Sequence, residues 1–224
     1  MKPKFWLDLW HRQNIGFHQA ATNQLLVEYW PYMHLQQGDQ VFVPLCGKSL
    51  DMRWLGAQHH NVLGVELAKL AIESYFEDAN ESATTQVVDR FVSYRHEAGE
   101  VEACEILHGD FFDLTGQLLH NVRAVYDRGA LVALPPDMRF RYVDHLLRIV
   151  PDETRILLLV VEYDQNLVAG PPHSVLPEEV GRLYGSRCDI QLVDSIVTSS
   201  LPPKFAEQGV TQAAESAYII TKMD

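Results

Sequence analysis

The 224-residue chain has only three cysteines, Cys46, Cys104 and Cys188, and none of them forms a CxxC pair. An odd, widely spaced set argues against a disulfide framework and points to a reducing, cytoplasmic compartment. No apolar run approaches the roughly 18 residues that span a bilayer. Residues 1–8 lack the apolar stretch of a secretory signal and carry an early acid, Asp8. Cations are scarce as well: 18 Lys and Arg stand against 30 Asp and Glu, for a net charge of −12. That balance disfavours nucleic acid and acidic membranes as partners. The ten histidines show neither HxH nor HExxH spacing, so no metal is expected, and His59-His60 reads as an exposed turn.

Two glycine-rich phosphate motifs are also missing. Gly47-Lys48-Ser49 resembles the end of a P-loop, but Phe42 occupies the position of that motif's first glycine. A dinucleotide fingerprint needs a further glycine where Ser49 stands, so a pyrophosphate has no close backbone approach. A tight strand-to-helix turn with a single glycine suits a nucleoside without a diphosphate, such as S-adenosylmethionine.

What is present is an ordinary globular composition, 47% hydrophobic and 21% charged, with no repeat or linker, which reads as one domain over 1–224. Residues 1–36 are rich in aromatics. Trp6, Leu9, Trp10, Phe17, Leu25, Leu26, Tyr29 and Trp30 recur at three- and four-residue intervals. Ile15-Gly16-Phe17-His18 interrupts the pattern and predicts two helices around a loop. Apolar runs then predict strands at 40–45, 61–66, 124–127 and 155–163, with further candidates at 191–198 and 217–221. Residues 91–94 and 101–107 read as a hairpin about Gly99. Helices are predicted over 49–58, 68–78 and 139–150. This alternation implies βαβ crossovers and a mainly parallel sheet with helices on both faces. Ligands in such sheets bind beyond the carboxyl ends of the strands.

The residues at those ends are the candidates. Glu66 closes the second strand 19 residues after Gly47, where a carboxylate accepts hydrogen bonds from ribose hydroxyls, although a lone acid at a strand end is often merely solvated. Asp110 is the candidate for an adenine amine edge. Phe111 is the candidate for the ring face through its side chain or backbone, with at least one of Phe111 and Phe112 in the core. Arg128, after Asp127, either forms a structural ion pair or presents a planar fork of donors to substrate or to a cofactor carboxylate.

At these residues the chain resembles the thiopurine S-methyltransferase family, its bacterial members in particular. The resemblance rests on Phe5-Trp6-Leu7 with Trp10, Ile15-Gly16-Phe17-His18, Val43-Pro44-Leu45-Cys46-Gly47-Lys48-Ser49, Gly64-Val65-Glu66, Gly109-Asp110-Phe111-Phe112-Asp113 and Tyr126-Asp127-Arg128-Gly129-Ala130. It continues through Ala133-Leu134-Pro135, Asp137-Met138-Arg139, Glu162-Tyr163-Asp164 and Gly170-Pro171-Pro172, and weakens beyond about residue 176.

The resemblance implies a Rossmann-like class I methyltransferase fold with seven strands, the last inserted one antiparallel, and an N-terminal helical lid over 1–36. Trp10, Leu45, Gly47, Glu66, Asp110, Phe111 and Arg128 would contact S-adenosylmethionine. Phe17 and Arg128 would face the acceptor, and Lys204 is a loose candidate for a second cation there. The implied reaction is in-line methyl transfer to the sulfur of aromatic or heterocyclic thiols, or to selenium or tellurium compounds, releasing S-adenosylhomocysteine. No general base is assigned. Asp127 is the one acid to test and is expected to be structural, and Cys46 reads as a packed, inert thiol. A monomer acting on small molecules is expected. The competing readings are a non-catalytic S-adenosylmethionine sensor, a methyltransferase for another acceptor, and a nicotinamide oxidoreductase, which the missing glycines disfavour.

Overall fold

The four most apolar runs become four adjacent parallel strands: β2 (Asn61–Glu66), β1 (Gln40–Pro44), β6 (Val122–Arg128) and β7 (Arg155–Glu162). They are apolar on both faces because both faces are covered, as buried parallel strands require. The computed structural model describes residues 3–16, 18–96, 104–198 and 203–224.

Among the described residues the sheet has nine strands, in the order β3-β4-β5-β2-β1-β6-β7-β9-β8. In it, β5 (Cys104–His108) runs parallel to β2, while β9 (Ala213–Lys222) lies antiparallel between β7 and β8 (Cys188–Thr198). Those seven strands match the expected arrangement, but the count of seven is wrong. Two further strands, β3 (Ala83–Val88) and β4 (Phe91–His96), pair antiparallel with each other, and β4 pairs antiparallel with β5. The sequence Ala-Thr-Thr-Gln-Val-Val of β3 escapes pattern reading because it is an edge strand with its middle residues exposed, so no apolar run marks it. The expected pairing of 91–94 with 101–107 holds where β4 meets β5, and residues 101–103 of that segment lie outside those described.

Side chains alternate across each strand and divide the core in two. On one face Phe42, Leu63, Val65, Val125, Ile156 and Leu158 pack against α6 (Pro136–Ile149) and α7 (Pro177–Tyr184). On the other face Val41, Val43, Val62, Tyr126 and Leu157 meet α2 (Gln24–Tyr29), α3 (Leu50–Ala57) and α4 (Lys69–Glu77). The helix starts are set locally. Ser49 caps α3 by accepting from Asp51 N, and Asn23 caps α2 by accepting from Leu25 N and Leu26 N.

Asp51, 2% exposed, ties the N-terminal region to the sheet. It accepts from Asn23 N at 2.8 Å and from the Tyr126 hydroxyl at 2.9 Å. Tyr29 donates to Asp194 of β8 at 2.9 Å, anchoring the far end of α2. His60 is not in an exposed turn: it is buried, and its Nε2 accepts from Trp30 Nε1 at 3.0 Å. The reason is the aromatic face of residues 30–33, which folds under the sheet and supplies the ring that covers His60.

Candidate functional site

The strand order reverses between β1 and β6, with β2 and β5 on one side and β7 on the other. In an open α/β sheet, the crevice beyond the carboxyl ends of two such strands is where a ligand binds. Among the described residues, Trp10, Leu45, Gly47, Glu66, Asp110 and Arg128 lie at or beside those strand ends.

The first wall is the turn after β1. Leu45 and Gly47 both hold positive φ, 48° and 55°, so the chain reverses through two left-handed residues around Cys46. Left-handed backbone is costly for leucine, about 1–2 kcal/mol. Such strain persists where surrounding contacts enforce it. Trp10, 5% exposed in α1 (Pro3–His11), closes over the turn, and a Cβ on Gly47 would come to 3.3 Å from its ring. Trp10 packs on Ala68 and Ala71 at the start of α4, which pins α1 across the ends of β1 and β2. Cys46 faces the opposite way, into the core: a Cβ on Gly64 would lie 2.7 Å from its sulfur. Burial pushes its thiol well above the ordinary cysteine range, so it is an inert packing group.

Glu66 stitches the two turns together. One carboxylate oxygen accepts from Gly47 N at 2.9 Å and the other from Ala68 N at 2.7 Å. The side chain is 8% exposed, and burial raises its pKa above the ordinary 4.5 against the lowering effect of the backbone donors at Ala68, Gly47 and Leu67. The bonds from Gly47 N and Ala68 N take one lone pair on each oxygen.

The turn after β5 places Asp110 as a cap whose side chain accepts from Phe112 N at 2.9 Å. Phe111 points into the core. Its ring stacks on Phe42 at 6.5 Å and lies 4.9 Å from Tyr142, so its ring face is taken and the backbone is what this position offers a ligand.

At the end of β6 alternation separates three neighbours. Tyr126 and Arg128 share the face that carries α3, while Asp127 turns to the other face. Arg128 is half-exposed at the carboxyl end of β6, before Gly129 opens α5 (Ala130–Ala133). Asp127 is wholly buried and accepts from the Tyr142 hydroxyl at 2.7 Å and from Leu131 N at 3.1 Å. It therefore holds α5 and α6 to the sheet, away from the crevice.

Burial pushes Asp127 up to about 6 from the ordinary 3.8, against the lowering hydrogen bonds. A value raised on folding means that the folded state gains from this group below pH 3.8 and loses that gain as pH rises towards about 6. Asp127→Asn is expected to remove this component. Urea-denaturation stability measured between pH 4 and pH 6 should change less steeply in the variant, and identical slopes would contradict the assignment.

Phe17 lies outside the described residues, as does the side chain of Lys204. His18, in the loop after α1, is half-buried, and burial, then Lys48, holds its imidazole below the ordinary 6.5.

A model of the thiopurine S-methyltransferase family matches residues 1–223. A thiopurine S-methyltransferase of Nitrosospira multiformis is 43% identical over 220 residues, covering 98% of each chain. One of Marinobacter nauticus is 41% identical, covering 99% of this chain and all of that protein. Among solved structures, a Burkholderia thailandensis 1,6-didemethyltoxoflavin-N1-methyltransferase with bound S-adenosylhomocysteine superposes with a TM-score of 0.64 at 16% identity, over 99% of this chain and 87% of that one, a likeness of fold alone. Matched end to end by the family and by relatives above 40% identity, the chain belongs to the thiopurine S-methyltransferase family.

Proposed function

We propose that the chain methylates the sulfur of aromatic or heterocyclic thiols, and selenium or tellurium compounds of like shape, in the crevice between β1 and β6. The observation that carries this reading is the cradle of Gly47, Glu66 and Ala68 under Trp10. It fits S-adenosylmethionine, the methyl donor of this enzyme class. A buried carboxylate suits two adjacent ribose hydroxyls, and the single-glycine turn suits a ligand without a diphosphate.

When bound, the donor supplies a methyl group on a sulfonium, already an activated leaving group. The work left to the chain is alignment, which contributes up to ~7–11 kcal/mol to lowering the barrier. Glu66 would hold the nucleoside, Trp10 would cover it, and the backbone at Asp110 and Phe111 would meet the base. Arg128 presents donors on the side where the acceptor enters. The net charge of −12 supports small-molecule acceptors over nucleic acid, and a cytoplasmic location accords with the free, buried cysteines.

Incubation with methyl-labelled S-adenosylmethionine and a panel of thiopurines, thiophenols and selenols is expected to give labelled thioethers or selenoethers. S-adenosylhomocysteine is expected to raise the melting temperature. Stabilisation without turnover across the whole panel would refute the acceptor assignment and leave a sensor.

A further inference from the structure

The turn after β5 carries the two residues read toward the nucleobase, Asp110 and Phe111, and its start is fixed by the sheet. Gly109 donates its N–H to Glu66 O at 3.0 Å, and a Cβ there would lie 2.5 Å from the ring of Phe91 in β4. Beyond Gly109 the turn is held from α6. Arg141 and His145 stand four residues apart on one face of that helix, with Tyr142 beside them. The Arg141 guanidinium carbon lies 4.2 Å from the centre of the Phe112 ring. The His145 ring lies 5.6 Å from Phe112 and 5.2 Å from Phe111, meeting the latter edge-on. Tyr142 lies 4.9 Å from Phe111, whose ring also meets that of Phe112 at 5.3 Å.

Phe112 does more than fill the space between these groups. Its N–H is the donor that the Asp110 side chain accepts at 2.9 Å. Wherever the Phe112 peptide sits, the Asp110 carboxylate follows. Cation–ring and edge-on ring contacts are directional, so they hold the orientation of Phe112 as well as its place.

We propose that Arg141 and His145 are positioning residues for the nucleobase edge: by clamping Phe112 they fix the peptide that orients Asp110. The inference rests on the nucleoside reading given above, with Asp110 toward the adenine amine. A turn free to shift would still receive a purine. It would lose the fixed acceptor that tells an amine from a carbonyl, so the clamp governs which base is preferred.

The test is titration calorimetry with S-adenosylhomocysteine and with S-inosylhomocysteine, which carries a carbonyl where adenine carries its amine. The unaltered protein is expected to prefer the adenosyl ligand. Arg141→Met and His145→Leu are each expected to cut that preference by roughly 2- to 10-fold, the affinity equivalent of one such ring contact. Arg141→Lys, which keeps a cation, and His145→Phe, which keeps a ring, are expected to retain it. An equal loss for both ligands, as a purely structural role gives, overturns the proposal. So does an unchanged ratio in both Arg141→Met and His145→Leu. These variants are expected to fold: Arg141 is exposed, and His145 Nε2 is buried without a hydrogen bond among the described residues, so its removal strands no partner.

A second measurement asks whether the effect passes through Phe112. In a Phe112→Leu background, Arg141→Met is expected to leave the ratio where Phe112→Leu alone puts it, because the cation has lost its ring. A full further loss overturns the proposal. An unaltered protein that binds neither ligand would instead overturn the nucleoside reading. One that binds both equally would overturn the Asp110 assignment, and the clamp falls with either.

Discussion

Replacing Arg139 by methionine is expected to lower the unfolding free energy by about 3–5 kcal/mol, the usual cost of removing one partner of a buried ion pair. Arg139 is wholly buried in α6. Its Nε donates to Leu134 O at 3.0 Å, and its Nη1 donates to Ser174 O at 3.1 Å and to Glu179 at 2.7 Å. One guanidinium thus joins the α5–α6 junction, the loop after β7 and the first turn of α7.

Methionine fills much of the same space but leaves two carbonyls and a carboxylate without their donor. Lysine would keep the charge yet lacks the fork that reaches separate acceptors. The melting temperature should fall by roughly 6–20 °C, at ~2–4 °C per kcal/mol for a chain of this size. Chemical denaturation is the measurement, and a loss under about 1 kcal/mol would show that the network is not holding these elements together. The loop after β7 depends on the same cluster: Ser174 also accepts from Tyr163 N at 3.0 Å and donates its own N–H to Gln165 at 2.7 Å.

Glu66→Ala is expected to weaken S-adenosylhomocysteine binding by about 1–3 kcal/mol, or roughly 5- to 150-fold, from the loss of charged hydrogen bonds. The structure adds a sharper expectation for the isosteric change. Glu66→Gln places an amide NH2 against Gly47 N–H or Ala68 N–H, donor facing donor, so it should be no milder than alanine.

The pH dependence follows from the raised pKa of Glu66, which burial causes. Below that value the carboxyl is protonated and accepts poorly from a ribose hydroxyl, so affinity should fall as pH is lowered through it. Titration calorimetry between pH 5 and 8 reads both effects. Unchanged binding in Glu66→Ala would remove the nucleoside from this pocket.

How much of this was legible in the sequence depends on burial. The run Gln-Val-Phe-Val-Pro of β1 and the run Arg-Ile-Leu-Leu-Leu-Val-Val-Glu of β7 announce themselves because both their faces are covered. The sheet edge does not: β3 carries threonine and glutamine, and its exposed Val87 gives no period. Likewise α7, at Pro-Glu-Glu-Val-Gly-Arg-Leu-Tyr, is short, and its apolar stripe of Val180, Leu183 and Tyr184 spans barely one turn.

At the site, spacing sufficed to pair Gly47 with Glu66, because the chemistry needs both at adjacent strand ends. Spacing says nothing about rotamers. That the ring of Phe111 turns inward onto Phe42 is decided by packing, as is the burial of Asp127 behind Tyr142.

The insertion of β9 between β7 and β8 orders how the sheet comes apart. Among the described residues β8 pairs within the sheet with β9 alone, whereas β9 pairs with both neighbours. Detaching β9 therefore releases β8 as well, while β8 can peel away alone. In native-state amide exchange the protection of β8 should never outlast that of β9, so the two form a graded opening unit on the flank away from the cofactor turns.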